Sequence, residues 1–344
     1  MVQPSLKSRI SKARQAPTTA AFTLIELLIA SVVGAITVSA LIGLAVQMIR
    51  VDLREAALTE TQRDMKRALD FIASDLREAV YVYPGGDECN TFNPNSCPPY
   101  ANYVGTVLDG RKPILAFWRT DPVDENKLGA LVCNSFSDDD KKGECEALKR
   151  SRHTLTLVIY TQQERYDNWN GKSVIRRFQL RRYSTAGIST LTTTPGYVNP
   201  VARAQNTLGG SLFSTWPLIG DPDNNSDHNL QGSSRPDARG KNLVLVDYVD
   251  HFNHQPDNDE ILQCDYENYT RSPGSVAAVV RESTSFFACI KDVGQDVGKN
   301  QDVILYLRGN ARGRGGEGVF LTDDDGRLPM LKTQVSLRGI IDKF

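Results

Sequence analysis

Between Phe22 and Ile49 apolar residues follow one another almost without a break, and Glu26 is the one charge among them. Residues 27–49 give 23 consecutive uncharged positions. At 1.5 Å per residue that is about 34 Å of helix, enough for a hydrocarbon core of about 30 Å. Past residue 50 the run turns periodic: Leu53, Ala57, Met65, Leu69, Ile72, Leu76 and Val80 recur mostly at steps of three or four, with Arg54, Glu55, Glu60, Arg63, Asp64 and Lys66 between them. That is one apolar stripe on an amphipathic helix. No Gly or Pro interrupts 44–83, and Pro84-Gly85-Gly86 closes the stretch. The pattern therefore predicts one stem helix over 22–83, with a transmembrane half at 22–49 and an amphipathic half after it. A coiled coil is the other use of such a stripe, but the repeat is too short and irregular for heptads.

Beyond 84 the dominant period becomes two. Residues 114–118, 154–161, 174–183, 243–249, 285–290, 303–308 and 334–340 are short, partly alternating runs rich in Val, Ile, Tyr and Phe. Long polar loops separate them, above all 184–240, and a loop of that length is functional or mobile. With no internal repeat and no linker, 84–344 reads as one β-rich head. The fold class is α+β: a long N-terminal helix packed on an antiparallel sheet head with long loops.

Composition narrows the function classes. The chain has 344 residues, 40 basic against 41 acidic, and 24 % charged. That argues against wholesale disorder and against a dedicated nucleic-acid binder, which carries a basic excess. One apolar run also excludes a polytopic membrane protein. Residues 1–21 hold Lys7, Arg9, Lys12 and Arg14 and no acid, which favours a cytoplasmic N-terminus. A secretory signal peptide has an apolar region of about 7–15 residues, so this run is too long for one. All six cysteines lie beyond the span, as expected of an exported head in oxidising surroundings. Proximity suggests pairing Cys89 with Cys97, Cys133 with Cys145 and Cys264 with Cys289. Zinc is disfavoured, since there is no CxxC and no histidine beside a cysteine.

Glu26 calls for a purpose, because a carboxylate at the centre of a membrane helix costs on the order of 2.5–3.5 kcal/mol. Around it the chain reads Phe22-Thr23-Leu24-Ile25-Glu26-Leu27-Leu28-Ile29-Ala30-Ser31, after the basic leader. This string resembles the processing and methylation motif of type IV prepilins and type II secretion pseudopilins. The resemblance implies a type IV pilin-like fold, removal of residues 1–21 by a prepilin peptidase cutting between Ala21 and Phe22, and N-methylation of the Phe22 amine. It also implies that Glu26 neutralises the new amine of a neighbouring subunit as helices bundle into a fibre on an inner-membrane assembly platform. The family has Gly before the cut, whereas this chain has Ala21, the next smallest side chain. An uncleaved anchor with an accidental glutamate is the alternative.

The head adds its own resemblance. A large β-rich head after this motif is similar to the minor pilins grouped with the type IV pilus protein PilW and to the J-type pseudopilins of type II secretion. Val303-Ile304-Leu305-Tyr306-Leu307-Arg308-Gly309-Asn310-Ala311, with 243–250, 285–289 and Leu337-Arg338-Gly339, most resembles the hormogonium polysaccharide secretion pseudopilins of filamentous cyanobacteria. That implies a minor fibre subunit serving polysaccharide export and gliding. It would be held in the inner membrane by one span with its head outside the cytoplasm, with other pilins as partners and polysaccharide as cargo.

Catalytic chemistry is hard to find. Gly313, Gly315 and Gly318 spell GxGxxG, but no helix pattern follows to receive a phosphate. His251 and His254 lie near Asp247, Asp250, Asp257 and Asp259, outside any helix, which reads more readily as a polar loop than a metal centre. No GxSxG elbow appears, so no enzyme activity is expected. Calcium is the one candidate cofactor: Asp221, Asp223, Asn225 and Asp227 alternate like oxygen ligands, although Gly232 stands where a closing Glu belongs, and Asp323–Asp325 is a second acidic group. Arg176, Arg177, Arg181 and Arg182 on one predicted strand are candidates for gripping an anionic polymer, as in a tip adhesin or DNA-uptake pilin.

Overall fold

The computed structural model describes residues 23–84, 99–108, 111–164, 168–201, 213, 215–221, 226–237, 242–251, 264, 268–273, 285–291, 301–316 and 321–337. The chain divides into two units, one ending at Asp52 and the other beginning at Leu53. Helix α1 (Leu24–Arg77) supplies residues to both.

In the second unit α1 ends earlier than the sequence predicts, and Ala79–Val82 forms a strand, β1. The reason is tertiary. Tyr81 and Val82 pair with Trp118 and Phe117 of β2 (Lys112–Pro122), and that ladder outweighs a helical step at Val80. The amide of buried Gln301 then mimics a peptide for this strand: Val82 N–H donates to Gln301 Oε1 and Gln301 Nε2 donates to Val82 O, both at 2.9 Å.

Two antiparallel sheets make the head. The first runs β1-β2-β3-β4-β7, with β3 at His153–Glu164, β4 at Ser173–Arg181 and β7 at Asn242–Val249. The second runs β11-β10-β9-β8, from β8 (Tyr269–Ser272), β9 (Phe286–Lys291), β10 (Asp302–Leu307) and β11 (Leu331–Ser336). A separate hairpin of β5 (Leu218–Asp221) and β6 (Ser226–Asn229) lies within the expected 184–240 loop.

The principal core lies where α1 and both sheets meet. Met65, Leu69, Ile72 and Leu76 of the helix pack with Phe117, Val158, Tyr160 and Ile175 of the first sheet and with Phe286, Ala288, Val303 and Leu305 of the second. Burying each large apolar side chain contributes about 1.5–3 kcal/mol. Alternate residues serve the opposite faces. Trp118, Leu157 and Ile159 enter an aromatic core under Tyr197, Phe213 and Trp216, while Phe287 and Tyr306 stack on the outer face of the second sheet. Both faces are covered, so these strands read as near-continuous apolar runs. Part of the expected long loop is thus core: Trp216 is fully buried, its Nε1 donating to Val198 O at 2.9 Å.

Between β2 and β3 stand two helices that the apolar pattern does not reveal, α2 (Glu125–Ala130) and α3 (Asp139–Ser151). Asp124 and Asp138 cap them by accepting from backbone N–H groups of their first turns. Two of the expected disulfides form, Cys133–Cys145 and Cys264–Cys289; Cys89 and Cys97 lie outside the described residues.

Candidate functional site

The first unit is apolar surface. Large aliphatic side chains of α1 from Leu24 to Val51 are between 41 % and 86 % exposed, a continuous area far beyond what a soluble monomer leaves in water. The hydroxyls within it are satisfied locally: Ser31 donates to Leu28 O, Thr37 to Gly34 O and Ser39 to Ala35 O, at 2.8–2.9 Å. No hydroxyl hydrogen there needs water, which suits a helix in hydrocarbon or among other helices. By length and composition α1 is able to cross a membrane.

Glu26 sits in the first turn of this surface. Thr23 starts the helix, its Oγ1 and backbone O accepting from the Glu26 N–H at 3.4 and 3.1 Å. A carboxylate in a first turn faces the positive end of the helix dipole, and this one stands at the rim of the apolar run. Ala21 and Phe22 lie outside the described residues.

The second unit grips its own part of α1 through charges. Asp75, buried in the helix's last turn, accepts from Arg119 Nη1 and Arg177 Nε at 2.7 Å and from the Tyr160 hydroxyl at 2.5 Å. Those three donors offset the dipole, which disfavours an anion at that end. Burial and then the Asp75 charge push the Tyr160 hydroxyl well above its usual pKa. For Arg177, burial is the largest single influence and acts against the charge, but the hydrogen bonds and charges of Asp75 and Tyr160 together outweigh it and the pKa rises. Nearer the start of this unit, Arg314 bridges Asp64 at 2.6 Å and Glu60 at 3.0 Å, with its guanidinium 4.9 Å from the Tyr248 ring centroid. Arg54 pairs with Asp325 at 2.9 Å.

The four arginines of the polymer hypothesis part company. Arg176 is buried and donates to Asn242 O, Arg177 is committed through Nε to Asp75, and Arg182 pairs with Glu144. Only Arg181 is largely exposed, so they do not form one basic face.

The acidic candidates are mostly answered by cations. In α4 (Asp323–Gly326), Asp323 meets Lys172 and Arg312, Asp324 meets Arg327, and Asp325 meets Arg54. The Lys172 hydrogen bond holds the Asp323 carboxyl below the usual aspartate range; for Asp325 the Thr322 hydroxyl does so first and Arg54 second. Asp221 and Asp227 belong to the β5–β6 hairpin, whereas Asp223 and Asn225 lie outside the described residues. Among the described residues no group of three or more His, Cys, Asp or Glu is arranged to hold a metal. His251 pairs with Glu164 at 3.1 Å, Asp247 caps the Asn170 and Gly171 N–H groups, and His254 is outside the described residues. Gly313 and Gly315 are turn residues with positive φ.

Sequence reasoning missed the role of Asp75, and it read Asp250 only as one acid of the polar loop around His251. Asp250, 1 % exposed, lies among Arg308, Arg327 and Lys172 and accepts from Asn310 Nδ2 at 2.9 Å. Each stands among other acids along the chain, and nothing local singles it out or points to its partners. The chain matches no protein-family model, no curated protein and no solved structure.

Proposed function

We propose that this chain is a minor pilin or pseudopilin, a structural subunit of a type IV pilus-like or type II secretion-like fibre that supports polysaccharide secretion and surface motility. The observation that carries the reading is Glu26: one carboxylate in the first turn of a helix whose next 23 residues are uncharged and whose apolar side chains are exposed. Lipid covers that surface while the chain waits in the inner membrane with its head outside the cytoplasm. Neighbouring helices cover it in the fibre.

In this reading a prepilin peptidase cuts between Ala21 and Phe22, the Phe22 amine is methylated, and Glu26 of one subunit neutralises the amine of the next. An unpaired carboxylate in hydrocarbon is costly, so only the register that supplies the amine is stable. The role is mechanical rather than catalytic, with the second unit carried outward on its helix.

Mass spectrometry of the N-terminal peptide tests it, on protein from membranes and from sheared surface material. The expected mature chain starts with N-methylated Phe22. An intact Met1, or a cut beyond residue 49, overturns the reading. Glu26→Leu separates processing from assembly: it is expected to be cut and membrane-held but lost from the sheared fraction.

A further inference from the structure

Arg177 and Arg181 lie four residues apart on β4, and both line one cleft of about 460 Å³. Both have an aspartate behind Nε, hydrogen-bonded for Arg177 and only a loose ion pair for Arg181. Arg177 Nε donates to Asp75 at 2.7 Å, and Arg181 Nε faces the buried Asp121 Oδ2 at 3.5 Å. The terminal Nη1 and Nη2 atoms of both make no hydrogen bond among the described residues; Arg181 is 58 % exposed, whereas Arg177 reaches the cleft only at its tip, 11 % exposed with its guanidinium 5.6 Å from the Phe71 ring centroid. Among the described residues no acid lines the cleft; its polar walls are Gln179, Tyr183, Ser184, Thr185 and Thr194.

The geometry points to a binding site here for an acidic polysaccharide, a polyhydroxylated chain bearing repeated carboxylates, with Arg177 and Arg181 each taking one anionic group. Spacing argues for a polymer. At about 3.4 Å per residue the two strand positions are about 14 Å apart, too far for one small anion to bridge. Wall chemistry argues for a sugar chain over an acidic peptide, because hydroxyl and amide side chains match hydroxyls. Anchoring of Arg177 through Nε adds to this, since a guanidinium fixed in advance loses little entropy when it pairs with a carboxylate, while the exposed Arg181 supplies the accessible fork. The site lies wholly in the second unit and stands apart from the prepilin reading, since fibre assembly through Glu26 neither requires nor supplies it.

The test is equilibrium binding of the full chain, in detergent micelles, to polyguluronate, to neutral dextran and to poly-glutamate. Arg181→Gln is the informative variant because Arg181 is 58 % exposed and its loss leaves the core intact. Losing one charge-assisted pair is expected to weaken polyguluronate binding at least about tenfold. Arg181→Lys is expected to fall between, keeping the charge without the fork. Lys149→Gln, on the exposed face of α3, serves as the charge control and is expected to bind as wild type does. Salt is expected to weaken wild-type binding more steeply than binding by Arg181→Gln. Dextran or poly-glutamate bound as tightly as polyguluronate, no binding at all, or an unchanged Arg181→Gln each overturn the proposal. Circular dichroism of each variant confirms that the comparison is between folded proteins.

Discussion

Gly309 lies so close beneath Met65 that a Cβ placed on it would come within 2.8 Å of Met65 Cγ. Thr61 Cγ2 and Leu328 Cδ1 would be at 3.0 and 3.2 Å. Here the segment after β10 passes under α1, and only the absence of a side chain permits that approach.

Gly309→Ala is therefore expected to destabilise the head by about 1–3 kcal/mol through overpacking, read as a lower unfolding temperature. Met65 is fully buried, so its side chain has no open space to swing into. Met65→Ala alone is expected to cost about 2–5 kcal/mol by leaving a cavity. The pair should be milder than the sum, because each change relieves the other. Additive losses would show that the two residues do not share this contact.

Asp75 supports a sharper expectation. Asp75→Asn keeps the shape but leaves Arg177 with Tyr160 as its remaining hydrogen-bond partner and strips one of three carboxylates from Arg119. Breaking a buried ion pair by removing one partner costs about 3–5 kcal/mol. Chemical denaturation should register that loss with an unchanged slope. A loss below about 1 kcal/mol would mean that water reaches the pair.

This network also shows why the sequence was legible in some places only. The strands β2, β3, β4, β9 and β10 were visible because both faces are buried, as at Leu157–Val158–Ile159–Tyr160, and unbroken apolar runs survive without context, whereas the four-residue β8 was not seen. Helix α3 was not, since Cys145 and Leu148 are its only buried residues and a stripe that thin has no period to detect. The end of α1 was misread because Ala79–Val82 is decided by its partner β2, far along the chain. Glu26 could be found because its meaning is local. Asp75 could not, as its partners lie 44, 85 and 102 residues away.

The disulfides are expected to contribute unequally. Cys133–Cys145 closes a separation of 12 residues and Cys264–Cys289 one of 25. Loop-closure entropy assigns the shorter about 3 kcal/mol and the longer about half a kcal/mol more. Paired Cys→Ser variants compared by thermal unfolding check the order. A larger loss at Cys133–Cys145 would show that the bond acts on the packing of α3 rather than on the unfolded chain.

Asp323 is one contributor to stability at the acid end. Its carboxyl is held below the ordinary aspartate range, first by the Lys172 hydrogen bond and then by Arg312, with burial opposing them. A carboxyl whose folded pKa is depressed contributes stability that is fully present above its unfolded value, about 3.9, and is lost as pH falls through the folded value. Asp323→Asn removes that contribution. The side chain is 46 % exposed, so solvent screening limits the loss at neutral pH to less than about 1 kcal/mol. Wild type and Asp323→Asn should therefore differ modestly from pH 7 down to about 4 and converge below it. Denaturant titrations at several pH values read this directly. A gap that widened on acidification would reverse the sign and show that Asp323 is not the group Lys172 stabilises.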